Sequence, residues 1–508
     1  MRTIILSLAL TMILGQVQSQ KTGIFDQSSD IGKPKNSGST TYDENEQVYT
    51  LTGSGYNIWF NRDEFQFAST KLKGDFVLTA NFALEGEGFD PHRKIGWMVR
   101  TSLDEDAAHA SAVLHGDGLT VLQWRMMKGA FMRDPEDQIF SPKRSYPILQ
   151  LERKGKTIIM RAAHPGEPLQ VIGSTDAVVL PDEVYAGLFI CSHNADKTEN
   201  GIAWNVRIDQ PVHDNYNPDR EGYIVGSRME IINVFDGKRK VIHEAPGRFE
   251  APNWMPDGKR LLFNQNGSLY TIPIEGGEPV KLNTGFADRN NNDHGISFDG
   301  KILAISHHRT GLPGGGSTIY ILPVTGGEPK QMTEKTPSYW HGWAPNGKEI
   351  VYVGQREGNA YNIYKKNING GPEIQLTHNK IGIADGPEYS PDGKYIYYNT
   401  NRSGSMQIWR MRPDGSGGEQ LTFDEYNNWF PHISPDGKWI VYIAFPADIH
   451  VDSHPSYKRV MLRLMPVAGG APRTIAYLYG GQGTINVPSW SPDSKHVAFV
   501  SNSRKSEK

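Results

Sequence analysis

Six residues set about one repeat apart carry groups suited to a polar ligand: Glu250, Asn292, Tyr339, Asp385, Trp429 and Asn486. Two carboxylates, two amides, a phenol and an indole supply the hydrogen-bonding rims and stacking faces that sugar rings require. Two residues further on, four of the six segments have proline (Pro252, Pro387, Pro431, Pro488), whereas two have histidine, His294 and His341. Period-two alternation puts these two rows on the same side of their strands and turns His432, one residue out of register, to the other. Glu388 adds a carboxylate beside Pro387. A second group follows the next strand of each segment: His308 and Arg309, Arg356, and Arg402. An insertion at 446–458, PADIHVDSHPSYK, carries Asp448, His450, Asp452 and His454; loops longer than a repeat needs tend to be functional. Of these, Asp448 and His450 join the candidate site. Imidazoles and carboxylates meeting at one point suit a divalent metal (Mn, Zn, Fe or Ca), with His294, His341 and His432 as the candidate ligands. The competing reading is that these are hydrogen-bonded channel histidines without metal. A glycosidase needs a carboxylate pair at set separation, which spacing does not fix for Glu250, Asp385 and Glu388, so no catalytic residue is assigned.

The elements that must position these groups repeat. FPHISPDGKWIVYIAF (430–445) is a Ser-Pro-Asp-Gly turn leading into an alternating strand, and five related copies end their turns at 258, 300, 347, 393 and 494. Pro presets φ at the second turn position and Gly releases the chain at the fourth. With the copy ending at 437, the steps are 42, 47, 46, 44 and 57 residues, close to one four-stranded propeller blade, and the insertion accounts for the longest. Second hairpins such as SLYTIPIEGGEP (268–279) and TIYILPVTGGEP (318–329) complete five blades. The sixth lacks its outer pair, which RMEIINVFDGKRKVI (228–242) supplies, so the two ends of the domain share a blade and no edge strand is left bare. In such a ring the strand entering each turn is innermost, and its first residues line the channel mouth.

The repeated SPDGK with a following GG or DG hairpin resembles the TolB-type, WD40-like (PD40) six-bladed β-propeller over about residues 223–503. That resemblance implies a fold shared by transport scaffolds, peptidases and enzymes similar to the oligogalacturonate lyases; the last of these implies a histidine-ligated metal. Fold alone carries no activity. There is no Gly-x-Ser-x-Gly elbow, P-loop or dinucleotide fingerprint.

The rest of the chain precedes the repeats. MRTIILSLALTMILGQVQSQ reads as a cleaved export signal over residues 1–19; its eleven-residue apolar run, Ile4 to Leu14, is too short to span a bilayer, and no transmembrane segment is predicted. Residues 20–209 carry short alternating strands (DFVLTANFAL, KIGWMVRTS, LTVLQWRM, EVYAGLFICSH) and predict a β-sandwich similar to concanavalin A-like or laminin G-like jelly rolls. Trp97, Arg100, Trp124 and Arg125 lie in those strands and could offer a sugar a stacking face and bidentate donors, but the preferred reading is that they are core; Cys191, the only cysteine, reads as a buried small hydrophobe. Residues 210–222, with two prolines, are the predicted linker, and 223–508 the propeller.

The expected fold class is thus all-β, a jelly-roll sandwich followed by a six-bladed propeller with shared-blade closure. A net charge of −3 gives no electrostatic reason for a nucleic-acid partner. The function expected is an exported, periplasmic or secreted, glycan-binding or glycan-handling protein with its ligand at the channel mouth. Two alternatives stand beside it: a metal-dependent polysaccharide lyase or glycoside hydrolase, and an envelope protein-interaction scaffold. The partner is accordingly a carbohydrate or an envelope protein.

Overall fold

The computed structural model describes residues 22–213, 216 and 225–504. The export signal and most of the linker lie outside the described residues. Two compact units divide the chain, one containing the whole first sheet of the sandwich and the other the propeller.

The sandwich consists of two seven-stranded sheets. In the first, Glu183–Cys191 pairs antiparallel with Phe65–Lys73 on one side and Lys94–Arg100 on the other, and His109–His115, Thr120–Arg125 and Gln138–Phe140 follow outward. Alternation sends Trp97 toward Phe82 of the second sheet, the ring centroids 6.1 Å apart. The opposite face holds an apolar cluster of Phe65, Phe67, Met98, Val113, Val121, Phe189 and Cys191. Trp97, Arg100, Trp124 and Arg125 are all buried. Arg125 donates to both carboxylate oxygens of buried Asp63, at 2.6 and 2.7 Å, so these residues are interior, as expected.

The propeller has five four-stranded antiparallel blades and a closing blade. In the closing blade Val225–Asn233 sits between Arg239–Ala245 and His496–Arg504, which confirms that the two ends of the domain share it. Its inner segment is less regular than the repeats suggest, tied to the next strand by a Trp490–Val497 bridge and by Ala498 N donating to Ser489 O at 2.9 Å. The turns close as their sequence requires: Gly437 N donates to Ser434 O at 2.8 Å, and Gly437 takes φ +72°. Ser494, where the sixth turn lacks glycine, accepts φ +61°.

Each of the five regular inner strands carries a register shift near its start: between Glu250 and Asn253, Asn290 and His294, Trp340 and Gly342, Asp385 and Glu388, and Trp429 and His432. A β-bulge re-aims the side chains that follow it. All five shifts fall at the level of the channel mouth.

Candidate functional site

The starts of the inner strands enclose a cavity of about 500 Å³. Glu250, Asn292, Tyr339, Asp385 and Asn486 line it, as does His341 from the second row and His308 from the loops. The structure brings these seven sequence candidates together.

The others lie elsewhere. Trp429 is fully buried behind the mouth, and Phe430, held at φ +53° by the bulge, faces the cavity in its place. His294 is likewise turned inward, 0% exposed with neither ring nitrogen hydrogen-bonded, and burial pulls its pKa down to about 4. Its neighbour Asp293 lines the cavity instead. His432 points away from the cavity: Nδ1 lies 2.6 Å from Glu388 Oε2 and Nε2 lies 2.7 Å from Ile485 O, an arrangement that ties its blade to the preceding one and to the inner segment of the closing blade. Glu388 also accepts Ile433 N at 3.1 Å. Arg356 is occupied by Glu373 and by Pro337 O, Arg309 donates to Thr318 Oγ1, and Arg402 lies 3.5 Å over the Trp409 ring of a third strand. Asp448 and His450 are exposed at the start of the insertion, and its later residues Asp452 and His454 reach the cavity. His294, His341 and His432 therefore do not converge, and among the described residues no group of three or more His, Cys, Asp or Glu side chains is placed to hold a metal. The implied metal does not fit this residue set.

Sequence reasoning missed Arg248, Asn291, Asp293, Tyr361, Phe430 and Gln482 on the lining, and left Asp452 and His454 out of its candidate set. The PADIHVDSHPSYK insertion was the available signal for the last two.

The lining groups are electrostatically coupled. His341 Nε2 lies 3.1 Å from Asp385 Oδ1. Burial opposes charge on His341, but the Asp385 hydrogen bond and the Asp293 carboxyl outweigh it and raise its pKa above the ordinary value. Burial likewise pushes Asp385 upward, and the contact with His341 brings it below the ordinary carboxylate range. Asp293 behaves oppositely: burial pushes it up to about 7, with Asp385 and Glu250 adding to the rise and His341 opposing it. Its carboxylate accepts Asn291 Nδ2 at 2.8 Å. Arg248 pairs with Glu250 at 2.6 Å. Phe430 stacks against His341 at 6.0 Å, and His454, whose pKa burial lowers, packs edge-on to Trp429 at 4.4 Å. The mouth thus places a carboxyl that keeps its proton near neutral pH in the same cavity as an ionised one, a combination that can donate and accept hydrogen bonds at once and that serves acid–base chemistry in carboxylate enzymes.

Comparison with known proteins agrees with this architecture. Residues 314–461 match the TolB beta propeller domain, PD40. An uncharacterized protein of Agrobacterium fabrum is 48% identical over 275 residues, which cover 54% of this chain and 92% of that protein. The solved structure of a putative TolB from Agrobacterium tumefaciens is 48% identical, covers 55% of this chain and 98% of its own, and superposes with a TM-score of 0.52. The chain belongs to the TolB-like β-propeller family. The Tol-Pal system protein TolB of Francisella tularensis is 27% identical over 274 residues, and the chain spans 59% of its length.

Proposed function

We propose that this protein is an exported glycan-binding propeller whose ligand sits in the mouth cavity. The observation that carries the reading is the composition of a cavity of about 500 Å³, in which the amides of Asn291, Asn292, Gln482 and Asn486, the Asp293 carboxyl and paired charges line one space with the aromatic side chains of Tyr339, Tyr361 and Phe430. Arg248 pairs with Glu250 and His341 with Asp385, while the Asp452 carboxylate meets an amide, Asn401, rather than a cation; a mouth with most of its charge paired suits a hydroxyl-rich ligand more than an ion. The lectin-like reading of the sandwich and the export signal support the same assignment. A second reading, an envelope scaffold that holds a protein on the same face, is favoured by relatives named as Tol-Pal system proteins.

The test is calorimetric titration of the full chain against a polysaccharide panel, with reducing-end release and unsaturated products followed in parallel to detect turnover. Tyr361→Phe removes one hydroxyl from the cavity wall and should weaken glycan binding about three- to tenfold with little change in Tm. His341→Ala should weaken it further and also lower Tm, because Asp385 is left buried without its imidazole. Arg402→Ala, which lies off the cavity, should change neither. Binding that is indifferent to Tyr361 and His341 would move the ligand away from the mouth. A panel without any binder, together with co-purification of an envelope protein that His341→Ala releases, would favour the scaffold.

A further inference from the structure

Lys94 is a buried cation without a countercharge. It is 3% exposed, its ammonium donates to Asn57 Oδ1 at 2.9 Å, and among the described residues no carboxylate lies within ion-pairing distance of it. Neighbouring buried cations of the sandwich are compensated: Arg93 pairs with Glu199 at 2.6 Å, and Arg125 with Asp63 at 2.6 Å. The nearby Asp90 is turned to His193, 3.2 Å away. Burial accordingly depresses the Lys94 pKa. An uncompensated buried charge is costly to a fold.

The ammonium is not enclosed in apolar packing. Lys94 opens its strand directly opposite His115, and alternation puts Gln123 and Gln138 on the same face, on the first and second strands beyond that of His115. Together they line one end of that face as a cavity of about 300 Å³. His115 is 5% exposed with neither ring nitrogen hydrogen-bonded, and burial holds its pKa well below the ordinary value. His92 lies against it and against His193, with ring centroids 5.7 and 5.4 Å apart. Trp59 and exposed Phe140 supply apolar walls.

We infer that this cavity is a second ligand site, which binds a carboxylate-bearing sugar with its carboxylate on Lys94 and its hydroxyls on His115 and the glutamine amides. The charge balance selects the class. Buried Lys94 matches one carboxylate, whereas the exposed Asp134 carboxylate, to which Gln138 Nε2 donates at 2.5 Å, adds negative charge to the same cavity and disfavours a dianion such as phosphate. A divalent metal is disfavoured because Lys94 already places positive charge at the cavity. The amides suit a polyhydroxylated body: the bond to Asp134 fixes the Gln138 amide, while Gln123 Nε2 donates to Gln138 Oε1 at 3.3 Å, a long bond that a ligand hydroxyl can displace. This inference stands apart from the mouth reading, since no residue is shared between the two cavities.

Titration of the full chain with glucuronate, glucose, acetate and Zn²⁺, each alone, tests it. Glucuronate should bind, with glucose and acetate each at least about tenfold weaker. Lys94→Met should reduce glucuronate affinity about ten- to a hundredfold, while Tm holds or rises because a desolvated charge has been removed. His341→Ala should leave the binding unchanged. Should Lys94→Met fail to fold, Gln123→Ala and His115→Phe provide the same readout and should each weaken glucuronate severalfold. Equal binding of glucose or of acetate, binding of Zn²⁺ alone, no binding of any probe, or glucuronate affinity indifferent to these variants would each overturn the inference.

Discussion

A chain lacking residues 225–245 is expected to lose the cooperative unfolding transition of its propeller. The strand Val225–Asn233 makes nine register pairs with His496–Arg504 and also pairs with Arg239–Ala245, so its removal strips the closing blade of its outer pair and opens a bare edge. Met229, Ile232 and Val234 are 0% exposed. Losing the burial of three such side chains costs roughly 5 to 9 kcal/mol at about 1.5–3 kcal/mol each. That is comparable to the whole stability of a typical domain, about 5–15 kcal/mol. The deletion also uncovers partners of these side chains, among them Phe499 and Val497. Differential scanning calorimetry and limited proteolysis measure the outcome. A propeller transition at the wild-type midpoint after the deletion would mean that the ring is closed by something other than this strand.

That closure could be read from sequence because it depends on counting: six turns, five outer hairpins and one unmatched pair upstream. Turn residues announce themselves, since Pro and Gly at set offsets have few other uses. The mouth was harder, and the difficulty has one cause. The register shift at the head of each inner strand changes which residue faces the channel, and it does so without a glycine at Phe430 and Ala251, both held at positive φ. Strict alternation therefore selected Trp429 over Phe430 and His294 over Asp293. Where the cavity lies close to the residue predicted, as at Glu250, Tyr339 and Asp385, the first row was recovered. The loop arginines failed for another reason. Arg356 and Arg402 return toward the mouth in sequence, yet each finds a partner on its own blade, Glu373 or Trp409. Lys94 carried no signal at all, because KIGWMVR reads as any strand does and only the three-dimensional neighbourhood shows that its charge is unmatched.

Asp293→Asn should stabilise the protein above pH 7 and leave it unchanged near pH 3. The carboxyl is 6% exposed, and burial beside Asp385 and Glu250 raises its pKa from an ordinary 3.8 to about 7. Between these values the folded chain holds a proton that the unfolded chain has released, so stability falls as pH rises through the window and the loss is complete above about pH 7. Three pKa units at about 1.4 kcal/mol each put the full loss at roughly 4 kcal/mol. Asparagine mimics the protonated acid in shape and keeps an oxygen for Asn291 Nδ2, which donates to Asp293 at 2.8 Å. The variant should therefore follow wild type in acid and exceed it progressively from about pH 4 to 7 in chemical denaturation. Because His341 and Asp385 titrate with it, the informative quantity is the difference between the two curves rather than either alone. The same proton bears on function. A ligand oxygen that accepts from the Asp293 carboxyl loses its donor as pH passes 7, so wild-type glycan affinity should decline there while Asp293→Asn, whose amide donates at every pH, stays level. A flat stability difference across pH 4 to 8 would show that Asp293 is ionised throughout, and the mouth would then carry one more negative charge than a neutral sugar favours.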